Sequence, residues 1–332
     1  MKTPGVVILS RGQVSSLLTI RECIDVVEDA FRMHAQGNGL EPCLLHVDSK
    51  DGEFHIRAGG LKLDRTYFCV KIGAGFFGNM ERFGLPNIQG VLALFDGDTG
   101  SPLAVMDAIE ITIQRTGAVA AVAAKYLARP ESSVVTICGC GNQGRIQLKA
   151  LKQVLPAIKQ AFAFDVNEQA AIRYAAEMSK ELDIVVEAES DVAKAVARSD
   201  VVVTCTPSSH YYLRRDYVTE GTFVAAIGAD SPHKQELEPS LLMRSKLVVD
   251  ILEQCARAGE LHHALEAGLL TRQNVHGELG DVIAGKIPGR SSEEEITIFD
   301  ATGTALQDVA AAAAVYRRAV AEGVGLVLQL SD

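Results

Sequence analysis

The stretch Gly139-Cys140-Gly141-Asn142-Gln143-Gly144 puts three glycines into six residues, one residue (Cys138) behind the β-forming run SSVVTI. Glycine-rich turns are common, so the pattern alone says little. Its setting says more. It follows a predicted strand, opens a predicted helix, and is followed 21 residues after Gly144 by Asp165 at the end of the next predicted strand. Together these form the fingerprint of a dinucleotide site. Gly139 makes the turn, and Gly141 lets the backbone N–H groups around Asn142 and Gln143 close on a pyrophosphate. Gly144 lets the helix pack tightly on the strand, and the helix N-terminus adds partial positive charge. Asp165 is placed to accept hydrogen bonds from the adenosine ribose and to repel a 2′-phosphate. NAD(H) is therefore favoured, with NADP(H) possible because Asn167 and its neighbours could still receive a phosphate.

In such a fold the ligand lies at the carboxyl ends of the strands. Three more predicted strand ends carry polar or small residues: Thr204, Thr206, Pro207 and Ser208; then Gly228, Ala229 and Asp230; then Asp300, Thr302 and Gly303. Asp230 is the best general acid/base among them, a carboxylate on a small-residue loop at the face where a nicotinamide belongs. A turn or helix-capping Asp before SPHKQEL is the plainer reading. Arg57 (FHIRAGG), Lys71 (YFCVKIGAG) and Arg115 (IEITIQRTGAV) each stand among apolar or small neighbours. Charges there are costly unless paired. Each could be a structural salt bridge, but three together suggest a pocket for a carboxylate.

The elements that must carry these groups fall into two textures. VVILS (6–10) reads as a strand and TIRECIDVVEDAFRMHAQGNG as an amphipathic helix stopped by Gly37 and Gly39. Residues 43–95 alternate and are punctuated by Gly/Asp turns, which predicts an antiparallel sheet. Residues 108–129 predict a long Ala-rich helix ended by Arg129-Pro130. From 133 onward short apolar runs alternate with helical stretches, the signature of βαβ units and a parallel sheet covered on both faces. EEITIFD is expected to add a last strand, and the terminal helix TALQDVAAAAAVYRRAVAEG to return to the first domain. The fold class is thus α/β, a doubly wound Rossmann domain at 126–305 inserted in an α+β domain made of 1–125 and 306–332.

A chain of 332 residues can form two real cores, and 48% hydrophobic with 22% charged residues is an ordinary globular balance. A formal charge of −10 argues against a nucleic-acid partner. No stretch approaches the ~20 apolar residues of a membrane helix, and the N-terminus lacks a secretory apolar core, so a cytoplasmic location is expected. The seven cysteines are expected to be reduced core residues. The eight histidines form no HExxH, and no metal is expected.

The segments KIGAGFFGNMERFGLPNIQG, GSPLAVMDAIEITIQRTGAVAAVAAKYLAR, GCGNQG, AAIGADSPHKQEL and EEITIFDATGTALQD resemble the ornithine cyclodeaminase / mu-crystallin family over essentially the whole chain. That family includes archaeal-type alanine dehydrogenases and ketimine reductases. The resemblance implies a homodimer joined through the sheets of the first, substrate-binding domains, and a Rossmann domain for NAD(P)(H). It implies that Lys71 and Arg115 hold a substrate carboxylate and that Asp230 is the acid/base. Lys71 would serve directly at the reacting centre as well. Gly139, Gly141 and Gly144 match the nucleotide loop, and Thr302 and Gly303 the pair near the nicotinamide.

There are departures from the family pattern. Arg57 stands where cyclodeaminases carry a Glu that receives a side-chain ammonium, whereas the alanine dehydrogenase branch carries Arg. Cys43 stands near the place of an early basic residue. Phe76 and Phe77 alter the pocket wall. The expected function is an NAD(H)-dependent imine or ketimine reductase or an alanine-type amino-acid dehydrogenase, acting on a small amino acid, 2-oxo acid or imine. Ornithine cyclodeamination to proline, with catalytic NAD⁺, is the alternative. A mu-crystallin-like binding protein without catalysis is a second.

Overall fold

The computed structural model describes residues 5–330; the terminal residues 1–4 and 331–332 of the expected outer domain lie outside the described residues. The chain divides into two units, Met1–Arg115 with Thr304–Asp332, and Thr116–Gly303.

The first unit is built on one sheet. Its strands are β1 (Val6–Leu9), β2 (Gly39–Ser49), β3 (Gly52–Lys62), β4 (Thr66–Gly75), β5 (Ile88–Asp96) and β6 (Pro102–Asp107), with a short strand Leu326–Leu328 at one edge. From that edge the order runs β1, β6, β5, β4, β3, β2. The pairs from β2 to β6 are antiparallel as the alternation predicts, and β1 adds a parallel pair with β6. The antiparallel sheet begins at Gly39, four residues earlier than the texture of the sequence indicates.

Alternation sorts the side chains of β3, β4 and β5 by face. His55, Arg57, Leu61, Cys69, Lys71, Leu92 and Leu94 are buried on one face, while Phe54, Ile72 and Val91 are exposed on the other. The buried face is covered by the terminal helix Ala305–Glu322, which packs on β3 and β4 and on the helix Ile20–Ala35. Small residues make that approach close: a Cβ at Gly59 would sit 2.8 Å from the Cβ of Ala305. A short side chain on this helix can therefore reach the sheet.

The second unit is a parallel sheet of β7 (Val134–Cys138), β8 (Gln160–Phe164), β9 (Val185–Ala188), β10 (Val201–Thr204), β11 (Phe223–Ala226), β12 (Lys246–Val249), β13 (Gly277–Glu278) and β14 (Thr297–Asp300). Its order is β13, β12, β14, β11, β10, β7, β8, β9. The central strands VVVT, FVAA and TIFD are buried along their whole length, as strands covered on both faces must be. The run EEITIFD supplies β14, the last strand of this sheet in chain order. β14 pairs with both β11 and β12 near the middle of the sheet and is buried along its whole length. Chain order reverses between β7 and β10, so the doubly wound sheet has its switch point there. Among the described residues no helix is long and apolar enough to cross a membrane.

Candidate active site

In the first unit, β-pairing places Arg57 directly opposite Lys71. Arg115 comes from the helix Ala108–Leu127, whose start is capped by Asp107 Oδ1 accepting from the N–H groups of Ile109 and Glu110. Lys71 and Arg115 meet Asp308 of the terminal helix, and Arg57 adds its charge to the field around it. Lys71 Nζ donates to Asp308 Oδ1 at 2.7 Å and to Thr112 Oγ1 at 3.2 Å. Arg115 Nε lies 3.2 Å from the same Asp308 oxygen, and its Nη1 donates to Gln307 Oε1 at 2.9 Å. The exposures are 2% for Lys71, 4% for Arg115, 6% for Arg57 and 0% for Asp308, so this is a buried charge cluster.

Burial pushes the Lys71 ammonium down to about 7; Asp308 opposes that shift, and repulsion from Arg115 and Arg57 adds to it. Burial alone would raise the Asp308 carboxyl. The joint attraction of Lys71, Arg115 and Arg57 outweighs it and holds the group below the ordinary carboxylate range. Asp308 thus stays ionised as the shared counter-ion. A second carboxylate entering this cluster meets a positive field and planar Arg forks suited to it. Asp308 escaped the sequence reading. Its signal was a lone acid in the Ala-rich run ALQDVAAAAA, where a charge needs a buried reason.

In the second unit, the glycine loop joins β7 to the helix Asn142–Val154 at the switch point. Gly139 has φ +105°, and a methyl there would meet Cys205 O at 2.9 Å. A methyl at Gly144 would lie 2.1 Å from Gly139 O, so the helix can start here only with glycine. At Gly141 a Cβ would point into open space, the room that an approaching phosphate requires. Gly141 and Asn142 are exposed, and Gln143 is half-buried. Asp165 shapes this loop itself: Oδ2 accepts from Cys140 N at 2.9 Å and Oδ1 from Asn167 N at 2.9 Å. It stays half-buried beside a cavity of about 240 Å³ that it lines with Glu168, Ile172, Glu189 and Ser190. Open backbone, a helix N-terminus and a partly exposed carboxylate fit a dinucleotide.

The strand ends after β10 and β11 are tied together by Glu236, which the sequence reading also missed. Its Oε1 accepts from Thr206 N (2.7 Å), Thr206 Oγ1 (2.6 Å) and Tyr212 OH (2.8 Å), and its Oε2 from Gly228 N (2.9 Å). A Cβ at Gly228 would sit 2.3 Å from Glu236 Oε2, so only glycine admits the carboxylate. Burial raises the Glu236 pKa even against these donors. Thr204 is buried at the end of β10 and Pro207 exposed just beyond it. Asp250, after β12, accepts from Gly303 N at 2.8 Å and from Thr302 Oγ1 at 3.4 Å and so fixes that turn.

Asp300 is fully buried, its pKa pushed up to about 7 by burial, and it accepts from the N–H groups of Glu260 and Leu261. Its role is to anchor a helix start rather than to meet a ligand. Asp230 is half-buried, and its Oδ1 accepts from Lys234 Nζ at 2.7 Å. The cysteines Cys69, Cys138, Cys205 and Cys255 have thiols pushed well up by burial, which makes them poor nucleophiles.

A doubly wound sheet with a nucleotide loop at its switch point, in a chain that also carries a buried cation cluster, defines an α/β protein of the dinucleotide-dependent class. The sequence profile of the Ornithine cyclodeaminase/mu-crystallin family matches residues 6–323, and the chain belongs to that family. It is 41% identical to alanine dehydrogenase of Archaeoglobus fulgidus over 96% of each chain. The fold superposes on an archaeal alanine dehydrogenase dimer with bound NAD at a TM-score of 0.93, 40% identity and coverage of 98% of this chain and 99% of the other. It also superposes on Thermococcus litoralis Delta(1)-pyrroline-2-carboxylate reductase in complex with NADH and L-proline, at a TM-score of 0.92, 31% identity, and coverage of 97% and 99%.

The Lys71 shift makes a pH prediction. A bound carboxylate favours the charged ammonium, so above about pH 7 binding must take up a proton and weaken as pH rises. Calorimetric titration of oxalate in buffers of different ionisation enthalpy should show this proton uptake between pH 7 and 9. The Lys71→Met variant should bind more weakly and without pH dependence. A wild-type affinity flat across that range would contradict the assignment.

Proposed function

We infer that this chain is an NAD(H)-dependent oxidoreductase acting on the CH–NH or CH–NH2 group of a small amino acid, as an imine or ketimine reductase or an alanine-type amino-acid dehydrogenase. The carrying observation is the buried cluster of Arg57, Lys71, Arg115 and Asp308, in a chain that also has a nucleotide loop. The similar proteins named above act on alanine and on a cyclic imine acid, and both are α-carboxylates with a nitrogen on the reacting carbon.

Bound nicotinamide supplies the hydride for reduction and accepts it in oxidation. Gly139, Gly141 and Gly144, with the N–H groups of Asn142 and Gln143, hold the pyrophosphate. Thr204, Thr206, Pro207, Gly228, Thr302 and Gly303 border the cofactor at the strand ends. Asp165 accepts from the ribose and disfavours a 2′-phosphate, which selects NAD(H) over NADP(H). Lys71 and Arg115, pre-set by Asp308, grip the substrate carboxylate, and Arg57 adds a third cation to the same cluster. Lys71, poised near neutrality, also stabilises charge at the reacting centre. Asp230 gives a proton to the imine nitrogen in reduction and takes it from the ammonium in oxidation. Pre-positioned charge supplies most of the catalysis.

Arg57 repels a side-chain ammonium, which disfavours ornithine and leaves small apolar or anionic side chains. The apolar outer sheet face, with Leu45, Val47, Phe54, Ile72 and Val91 exposed, supports a homodimer joined through the sheets.

Purified protein with NADH should consume it steadily with one class from a panel. The panel comprises pyruvate and glyoxylate with ammonium or methylamine, and the five- and six-membered cyclic ketimine carboxylates. Asp230→Asn should lower kcat at least about a hundredfold while leaving NADH affinity intact. Near wild-type turnover in that variant would remove Asp230 from the chemistry. Proline formed from ornithine at a good rate would overturn the role given to Arg57. In a parallel experiment, Asp165→Ser should shift the NADH-to-NADPH preference by about tenfold or more toward NADPH, measured as a ratio of kcat/KM. An unchanged ratio would place cofactor selection elsewhere.

A further inference from the structure

The hairpin β2–β3 gathers a second group of polar side chains that the proposed reaction does not use. Its two strands turn through Lys50 and Asp51, between the paired residues Ser49 and Gly52. That short turn fixes the register, and it sets His46 opposite His55 and Asp48 opposite Glu53. The two imidazoles meet edge to face with centroids 4.5 Å apart. His55 Nε2 lies 3.2 Å from Glu53 Oε1, and His46 Nε2 lies 3.4 Å from Glu53 Oε2 and 3.0 Å from Asp48 Oδ1. The ligand atoms of His46, Glu53 and His55 all fall within 4.8 Å of one another. His55 is buried, while His46 and Glu53 are half-buried.

We propose that His46, Glu53 and His55 form a binding site for a divalent transition ion of the zinc type, with Asp48 available as a fourth, exposed ligand. Three features of the geometry support this. Ligands at zinc distances in a tetrahedron stand about 3.3 Å apart, and the measured His–carboxylate separations bracket that spacing. Two carboxylates converge on the same nitrogen of His46, which has at most one proton to share, whereas a cation serves both at once. Finally, cross-strand pairing holds the donors without rearrangement, so binding costs little ordering. Two imidazoles select zinc, nickel or copper over magnesium and calcium, which prefer all-oxygen sets.

His55 precedes Arg57 by two residues on β3, so an ion bound here adds positive charge on the sheet face that carries the cation cluster. Residues 46, 53 and 55 match no metal motif, and only the hairpin register brings them together. A second group, His262, His263 and Glu266, also has donors within reach of one another, but His263 Nε2 already bonds Lys234 O at 2.8 Å and Glu266 is exposed.

The test is zinc titration of the chelator-washed full chain by calorimetry and metal analysis, with Co²⁺ as a spectroscopic probe. The expected result is one zinc per chain and the visible absorption of four- or five-coordinate Co²⁺. Affinity should fall at least about tenfold in His46→Gln and in Glu53→Gln, with circular dichroism confirming that both fold. A His262→Ala/His263→Ala double variant should retain full binding. Absence of stoichiometric uptake by the wild type would overturn the site, as would uptake that survives both hairpin substitutions or disappears in the double variant. None of these outcomes depends on the reaction assigned above.

Discussion

A single carboxylate, Asp308, sets the terms for the first unit. Lys71 and Arg115 lean on one of its oxygens, and Arg57 adds to the positive field around it. Without that counter-ion, three cations would be buried together, and loss of one partner from such a group typically costs about 3–5 kcal/mol. With it, the cations are held in fixed positions yet still offer charge to a second carboxylate. The helix that carries Asp308 comes from the far end of the chain and can lie close to the sheet because Ala305 faces Gly59 there. The cluster therefore depends on a contact between Lys71 and Asp308, residues more than two hundred positions apart in sequence.

The second unit uses buried carboxylates differently. Glu236, Glu260, Asp250 and Asp300 each accept backbone N–H groups from the segments that follow the strands. Burial raises the pKa of Glu236, Glu260 and Asp300, and that cost is accepted because each acid satisfies backbone donors that turning loops would leave bare. The result is a rigid rim at the carboxyl ends of the sheet, in which Thr206, Gly228, Thr302 and Gly303 have little freedom. Rigidity of this kind is what preorganised catalysis asks of a scaffold.

Much of this was legible in the sequence. The glycine spacing, Asp165, the period-2 run of residues 43–95 and the three stranded cations carry local signals, because backbone geometry and the cost of burying charge act over a few residues. The partners were not legible. Asp308 reads as one more polar residue on a helix, Glu236 hides in SPHKQEL, and His46, Glu53 and His55 meet only through the register of a hairpin. The place of β14 between β11 and β12 is likewise a property of its neighbours rather than of its own residues. Local pattern announces a group that needs a partner, whereas tertiary topology decides which partner it finds.

The central claim is that the cluster around Asp308 is the seat of the substrate carboxylate. A crystal structure of the protein with NAD⁺ and L-alanine or L-proline tests it most directly. The account predicts one carboxylate oxygen within hydrogen-bonding distance of Lys71 Nζ and the other against the Arg115 guanidinium, with Asp308 still paired to both cations. An amino acid bound with its carboxylate elsewhere, and the cluster closed on itself, would contradict it.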